Sequence, residues 1–297
     1  MDRTAAAKVA CNVLYAENTC LQNGSNISQI PPEWVDPRIE QSNLTIVGWV
    51  VAADAILKTA LSSGTKLLDA GDDWVCYGYV AKSADGYVIA IRGTEGIEEW
   101  LDDADCIMKP RDAGEYVEGG FWEIYRSLRF ISVGSGLPYA ITANWPPQAL
   151  SDLTNLIQGE PVIIVAHSLG SAIAAFLAYD LKSRSVSNIS ACLFACPKLG
   201  NEVFVNGFVN AGVNYDVFNY ERDIVPQLPP VDILHLTMLH QIPGEKIIPA
   251  SDCICNDAGC NHHLICYIAL LDQGVFEGVM KGSPTADDLR LANCVNS

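Results

Sequence analysis

The chain has 297 residues, of which 49% are hydrophobic and 18% are charged, and this balance suits one large globular domain. It carries 18 Lys and Arg against 35 Asp and Glu, and the net charge of −17 argues against nucleic acid as a partner and against strong attraction to anionic membranes. The longest apolar run, Leu44 to Leu57, is too short to span a bilayer and contains Asp54, so we predict no integral membrane segment.

Helices and one β-hairpin are predicted in the first half of the chain. Trp74 to Ala81 and Tyr87 to Ile91 are rich in β-branched and aromatic residues, and the Ser-Ala-Asp-Gly sequence between them is typical of a hairpin turn. Loops rich in Asn, Ser, Gly and Pro are predicted over residues 18–43 and 132–147. Helices are predicted over residues 4–20, 44–60, 121–130 and 148–157.

Strands and helices alternate through the second half of the chain. Strands are predicted over residues 162–165, 189–195, 215–219 and 233–241, and helices over residues 171–180, 202–210 and 263–280. This alternation predicts an α/β fold with a mostly parallel sheet. Because no internal repeat and no clear boundary is visible, we predict a single domain over residues 1–297.

The segment from Pro161 to Asp180 has the pattern of a nucleophile elbow. A β-branched run, Val162 to Val165, leads into Ala-His-Ser-Leu-Gly, and a helical pattern follows. A serine in a tight turn between a buried strand and a helix needs small residues two positions before and after it, here Ala166 and Gly170. This pattern predicts Ser168 as a nucleophile, and the alternative is a structural turn with an idle serine.

A serine nucleophile requires a base and an acid that orients the base. Asp223 follows a predicted strand and is the better acid, since Asp216 falls inside that strand. His167 adjoins the serine, where we expect its side chain to point away from the triad position. His235 and His240 lie in a predicted strand and suit a buried structural role. The remaining two, His262 and His263, follow a loop, and the residues alone leave the choice between them open.

Two backbone N–H groups are the candidate donors for an oxyanion hole. Leu169 follows the nucleophile, and Thr94 ends the predicted strand over residues 87–91. The hydroxyl of Thr94 is a possible third donor. The alternative for Thr94 is a turn residue whose hydroxyl caps the next helix.

Taken together, these segments resemble the class 3 lipases, a family of α/β-hydrolases typified by filamentous-fungal triacylglycerol lipases. The resemblance covers about residues 70–270. Residues 1–69 are predicted to form N-terminal helices and a loop, and residues 21–69 have no counterpart in the family. Two positions depart from the family, which mostly has Gly where Ala166 and Ser171 stand. The matching blocks are IRGTEGIEEWLDDAD, GGFWEIYRSL, AHSLGSAIAAFLA, FACPKLGNEVFVNGF, FNYERDIVPQLPP and HLICY.

The resemblance implies an α/β-hydrolase fold, with helices on both faces of a mostly parallel sheet and a short helical lid. It implies Ser168 as nucleophile, Asp223 as acid, and Thr94 with Leu169 as the oxyanion hole. The base in this family precedes a Leu and, a few residues on, an aromatic residue. That pattern favours His263, with His262 as the alternative.

The activity implied by the resemblance is serine carboxylic-ester hydrolysis without a cofactor, most simply as a triacylglycerol or acylglycerol lipase. The expected partner is an acylglycerol or another ester, and a lipid–water interface is a further candidate partner. The alternatives are a feruloyl-type or short-chain esterase on the same fold, and a non-catalytic lipase-like binding or signalling protein.

The segment after Thr94 is the candidate lid. Ile97, Trp100 and Leu101 share one face of a helical pattern, and acidic residues share the other. Glycines nearby could act as hinges that let such a helix open at a lipid surface. The alternative is a fixed helix with Trp100 in the core.

Eleven cysteines are present, an odd number that leaves at least one thiol unpaired or intermolecular. A long-range disulfide between Cys20 and Cys294 is one expectation. The cysteines and histidines between Cys253 and Cys266 suggest a zinc site as an alternative, but their spacing fits none of the common zinc-finger patterns, and we predict no metal. Cysteine content favours a secreted mature form, whereas the N-terminus shows no signal peptide, so the compartment is left open.

Overall fold

A sheet of nine strands lies at the centre of the part of the chain that the structure describes. The structure is a computed structural model that describes residues 1–24, 26–27, 29–53, 74–94, 108–137, 146–229 and 238–296. The strands of this sheet are β1 (Asn26–Ile27), β2 (Thr45–Ala53), β3 (Trp74–Ser83), β4 (Gly86–Ile91), β7 (Arg129–Ser132), β8 (Val162–His167), β9 (Ile189–Phe194), β10 (Asn214–Tyr220) and β11 (Lys246–Ile248). A separate hairpin consists of β5 (Met108–Asp112) and β6 (Glu115–Glu118).

The order of the strands brings four loops to one edge of the sheet. The order is β11-β10-β9-β8-β4-β3-β2-β7, with β1 paired to β3. Strands β4, β8, β9, β10 and β11 are mutually parallel, whereas β3, β2 and β7 continue the sheet in antiparallel fashion. Because the carboxyl ends of parallel strands lie together, the residues that follow β4, β8, β9 and β10 meet at this edge, which is where sites form in such sheets.

Helices cover both faces of the sheet, as the two hydrophobic clusters of the core show. They are α1 (Arg3–Gln22), α2 (Arg38–Gln41), α3 (Gly119–Ser127), α4 (Gln148–Ile157), α5 (Leu169–Ser183), α6 (Glu202–Asn210), α7 (Ala258–His262), α8 (Leu264–Leu271), α9 (Gln273–Lys281) and α10 (Ala286–Ala292). One cluster joins the sheet to α3, α4, α5 and α6, and the other joins it to α1, α8 and α9. Both faces are therefore buried, and the predicted α/β architecture is confirmed.

Three predicted elements differ from the structure. Residues 44–60 were expected to be helical, but Thr45–Ala53 form strand β2, whose side chains alternate between the two clusters, with Val50 in one and Val51 in the other. The helix expected over residues 263–280 is divided, because the chain is extended at His263 (φ −59°, ψ 134°) and at Asp272 (φ −157°, ψ 108°). Of the strand expected over residues 233–241, the described part contributes only an isolated bridge between His240 and Gly200.

Two disulfides lie in the described part of the chain, and neither is the expected one. Cys20 pairs with Cys76, which ties α1 to β3, and Cys260 pairs with Cys294. The prediction of a Cys20–Cys294 bond is therefore wrong. Since Cys260 is disulfide-bonded, the alternative zinc site loses one of its ligands, and no group of three or more potential metal ligands occurs in the described residues.

The prediction about membrane segments concerns helix length and hydropathy. Among the helices that the structure describes, none is both long enough and apolar enough to cross a bilayer.

Candidate active site

Ser168 occupies a strained turn between β8 and α5. Its backbone angles, φ 57° and ψ −132°, lie in a region that residues with a side chain rarely adopt, and such conformations typically cost about 1–3 kcal/mol. The turn is tight because Gly170 has no side chain: a Cβ there would lie 2.4 Å from the carbonyl oxygen of Arg92. This geometry is that of the predicted nucleophile elbow.

The neighbouring strand β9 supports the elbow from behind. The backbone N–H of Ser168 and the hydroxyl of Ser171 both donate to the carbonyl oxygen of Phe194, over 2.9 and 2.8 Å. Ser171 is fully buried, and its hydroxyl is satisfied by this hydrogen bond. A glycine at this position would not supply the donor. The departure from the family pattern at Ser171 therefore adds a link between the elbow and the sheet.

His262 lies between Ser168 and Asp223. Its Nε2 is 2.9 Å from Ser168 Oγ, and its Nδ1 is 2.9 Å from Asp223 Oδ2. All three side chains are buried. The assignment of the base to His263 is therefore corrected: the structure brings His262, the alternative, into contact with the serine.

His263 has a different position, because the chain leaves α7 at this residue and starts α8. It is partly buried, and burial followed by the neighbouring His262 lowers its pKa below the usual value for histidine. The Leu that suggested His263 is the first residue of α8, so the pattern marked the start of a helix and not the base. His235 lies outside the described residues.

Asp223 follows β10 and is held by three hydrogen bonds. Its Oδ1 accepts from the N–H of Val225 at 2.9 Å, while Oδ2 accepts from His262 and from the hydroxyl of Tyr267, the latter at 2.7 Å. Because one oxygen is fixed by the backbone, the other faces His262 in a defined direction. Asp216 lies within β10 and pairs with Lys246 at 2.6 Å, away from this site.

Tyr267 is a site residue that the sequence suggested only as a marker for the histidine. It is fully buried, and its hydroxyl donates to Asp223 while accepting from the N–H of Tyr220 at 2.9 Å. Burial, and then the charge of Asp223, raises the pKa of Tyr267 well above its usual value. The phenol therefore stays protonated and serves Asp223 as a permanent donor.

His167, expected to point away from the triad, packs against the base. The ring centroids of His167 and His262 are 4.7 Å apart. Nε2 of His167 donates to the carbonyl oxygen of His262 at 2.8 Å. A carbonyl only accepts, so the proton lies on Nε2. Burial, and then the proximity of His262, lowers the pKa of His167 well below its usual value, which keeps this ring neutral.

The candidate oxyanion donors belong to the two segments that adjoin the serine. Leu169 is the first residue of α5, where a backbone N–H has no acceptor within the helix. Gly93 lies against the nucleophile, since a Cβ on it would be 3.0 Å from Ser168 Cβ, and Thr94 follows it as a partly buried residue. The lid candidates Ile97, Trp100 and Leu101 lie outside the described residues.

Comparison with known proteins gives the chain its context. The family model described as lipase (class 3) matches residues 88–233. A lipase of Rhizomucor miehei is 28% identical over 206 residues, which are 65% of this chain and 52% of the relative. A phospholipase A1 of Oryza sativa subsp. indica, phospholipase A1-II 3, is 26% identical over 280 residues, which are 81% of this chain and 63% of the relative.

Structural comparison supports the same fold. A solved structure of a Rhizomucor miehei lipase deletion mutant in complex with its propeptide has 22% sequence identity and a TM-score of 0.54, over 91% of this chain and 76% of that one. The fold is thus that of the α/β-hydrolases. The chain spans about half the length of the curated lipases that it matches. Over residues 88–233, which include the elbow, Asp223 and the strands that carry them, the chain is similar to the class 3 lipases.

Proposed function

We propose that this protein is a single-domain serine carboxylic-ester hydrolase that cleaves acylglycerols through an acyl-enzyme on Ser168. The observation that carries the proposal is the continuous hydrogen-bonded series from Ser168 Oγ through His262 to Asp223. A base in contact with both a strained serine and a buried carboxylate is the arrangement that activates a hydroxyl for acyl transfer.

The first half of the reaction starts at the serine. His262 Nε2 takes the proton from Ser168 Oγ as the oxygen attacks the ester carbonyl carbon. The imidazolium that forms faces Asp223, whose negative charge stabilises it. His167 remains neutral beside this imidazolium, so the two adjacent rings do not repel each other.

The second half releases the products. The N–H groups of Leu169 and Thr94 are assigned to the oxyanion, and the loss of one such donor typically costs about 10²–10³ in rate. The proton on His262 passes to the leaving alcohol, which departs. Water then attacks the acyl-enzyme while His262 takes its proton. The acyl–Oγ bond breaks, His262 returns the proton to Ser168 Oγ, and the carboxylic acid leaves.

A phospholipase A1 is the second candidate, because the rice phospholipase A1-II 3 matches 81% of this chain. Both activities break a carboxylic ester of an acylated glycerol, so the site alone serves either. The net charge of −17 favours neutral glycerides at a lipid–water interface over anionic phospholipids.

The test is hydrolysis of p-nitrophenyl esters from acetate to palmitate, of an emulsified triglyceride and of phosphatidylcholine, by wild type and by Ser168→Ala. We expect serine-dependent release of fatty acid from the emulsion, and a loss of about 10⁶ in kcat for Ser168→Ala. Activity confined to short soluble esters would indicate an esterase, and preference for phosphatidylcholine a phospholipase. A folded but inactive wild type would overturn the proposal in favour of a binding protein.

A further inference from the structure

The two disulfides differ in their exposure. Cys20 and Cys76 are fully buried, whereas Cys260 and Cys294 are partly exposed. A soluble thiol reaches an exposed disulfide far more readily than a buried one, and exposed disulfides are generally the labile ones. The Cys260–Cys294 bond is therefore the one that a reductant would open first.

This exposed disulfide lies beside the base. Cys260 precedes His262 by two residues, and both belong to α7, a helix of five residues. Asp257 precedes the helix and caps its first turn, since its carboxylate accepts from the N–H of Cys260 at 3.1 Å. So short a helix is not stable by itself and depends on its attachments.

The other end of the disulfide belongs to a segment that pairs with the loop before α7. Ile254 and Val295 form an isolated β-bridge. The N–H of Cys255 donates to the carbonyl oxygen of Cys294 at 2.9 Å. The N–H of Asn296 donates to the carbonyl oxygen of Cys253 at 2.7 Å. The disulfide thus fastens α7 to this paired segment, and of the two disulfides in the described residues it is the one nearer to His262 along the chain.

We propose that the Cys260–Cys294 disulfide positions His262, and that its reduction by a dithiol reversibly lowers ester hydrolysis. The proposal rests on the function proposed for Ser168, His262 and Asp223. With the bond closed, α7 holds the imidazole within 2.9 Å of the serine and of the carboxylate. With it open, α7 loses this attachment and the imidazole spends less time in that geometry.

The chemistry is thiol–disulfide exchange. A thiolate of the dithiol attacks one sulfur of the disulfide, which releases the other cysteine as a thiol and forms a mixed disulfide. The second thiol of the reductant then attacks the mixed disulfide, releasing the remaining cysteine and leaving the reductant as a cyclic disulfide. The protein gains two electrons and two protons, and oxidation reverses the process.

The experiment titrates dithiothreitol against the hydrolysis of p-nitrophenyl butyrate. Alkylation followed by mass spectrometry identifies which cysteines have become thiols. We expect Cys260 and Cys294 to be alkylated first, kcat to fall about 10- to 100-fold with little change in KM, and activity to return on reoxidation. A rise in KM with unchanged kcat would overturn the proposal. Full activity after both cysteines are alkylated would also overturn it.

Two variants serve as a matched pair. The double variant Cys260→Ser/Cys294→Ser should have the low kcat of the reduced enzyme and should not respond to dithiothreitol. The double variant Cys253→Ser/Cys255→Ser changes two neighbouring free thiols and should respond like the wild type. If that control loses its response instead, the free thiols and not the disulfide govern activity, and the proposal fails.

A second measurement separates this proposal from the proposed function. The Nδ1 proton of His262, shared with Asp223, should give a low-field NMR signal that His262→Gln lacks. We expect reduction to broaden or abolish it while circular dichroism shows the fold intact. If the oxidised wild type hydrolyses no ester, the proposed function fails, and this signal still decides the positioning of His262. An unchanged signal, or general unfolding on reduction, would overturn the positioning role.

Discussion

Two adjacent histidines have different positions because the backbone turns between them. His262 ends α7 and faces Ser168, whereas His263 is extended and precedes α8. We predict that His262→Ala lowers kcat by about 10⁴–10⁶ and that His263→Ala leaves kcat nearly unchanged. Steady-state kinetics of the two purified variants on one soluble ester would check this. A large loss in His263→Ala alone would assign the base to His263 after all.

The phenol of Tyr267 acts on the site through Asp223. Tyr267→Phe removes the donor to Asp223 and leaves the N–H of Tyr220 without its acceptor, which costs about 1–3 kcal/mol of unfolding free energy. We expect kcat to fall about tenfold, equivalent to ~1.4 kcal/mol in the barrier. Tyr220→Phe is the control, because its hydroxyl bonds to Ser251 and not to Asp223. Urea unfolding and kinetics on both variants test the prediction, and equal rates would refute it.

His167 makes stability depend on pH. Its pKa is lowered in the folded protein, so the unfolded chain binds a proton here at a higher pH than the folded one does. The contribution of His167 to the unfolding free energy is therefore fully present above the ordinary histidine pKa, and it is lost as the pH falls below that value. We predict that about 1 kcal/mol of unfolding free energy disappears between pH 7 and about pH 5.5. Urea titrations should show a smaller loss in His167→Gln, whose amide can donate in place of Nε2; an equal loss would contradict the assignment.

The sequence predicts a site residue where the surrounding pattern of strand and helix and the chemistry of the side chain point to the same position. Ser168 and Asp223 were predictable, because each follows a strand directly and the nucleophile also precedes a helix. The choice between His262 and His263 depends on the end of a five-residue helix, which no periodicity reveals. The contact of Tyr267 with Asp223 joins segments 44 residues apart and has no local signature.

Among the elements, β2 shows why continuous apolar runs are ambiguous. Its residues are buried on both faces of the sheet, so hydrophobic side chains succeed one another without the alternation that marks a half-exposed strand. Such a run resembles a buried helix, and length alone did not separate the two. By contrast, α6 was predicted with its observed bounds, because Asn201 caps its first turn by accepting from the N–H of Phe204.

A buried ion-pair network joins α2 to α10. Asp288 accepts from Arg38 at 2.7 Å and from Asn18 at 3.1 Å, and it is 1% exposed. We predict that Asp288→Asn lowers the unfolding free energy by about 3–5 kcal/mol, because it leaves a buried guanidinium with one partner fewer.

The adjacent residue supplies the control for that prediction. Asp287 forms a partly exposed pair with Arg290 at 3.3 Å, so Asp287→Asn should change stability by no more than about 0.5 kcal/mol. Guanidinium unfolding of the two variants gives the comparison. Similar losses in both would mean that the network around Arg38 contributes no more than a surface pair.

For the whole molecule, the net charge of −17 should govern which lipid surfaces the protein can approach. We predict that anionic lipid mixed into a neutral glyceride emulsion slows fatty-acid release at about 10 mM salt and slows it much less at about 150 mM, because the Debye length shrinks. A zwitterionic lipid in the same proportion controls for dilution. A rate that rises with anionic lipid at low salt would contradict this.

The position of α1 has a consequence for biosynthesis. The guanidinium of Arg3 donates to the carbonyl oxygen of Leu270, and Asn18 donates to Asp288, so partners of the first helix lie 267 and 270 residues further along the chain. Contacts of such separation form slowly, since nearly the whole chain must be closed into a loop. On the ribosome, α1 is made before α8 and α10 and finds these partners only once both have emerged. Its apolar face therefore lacks these partners while the intervening residues are made, which makes it a natural place for a chaperone to bind.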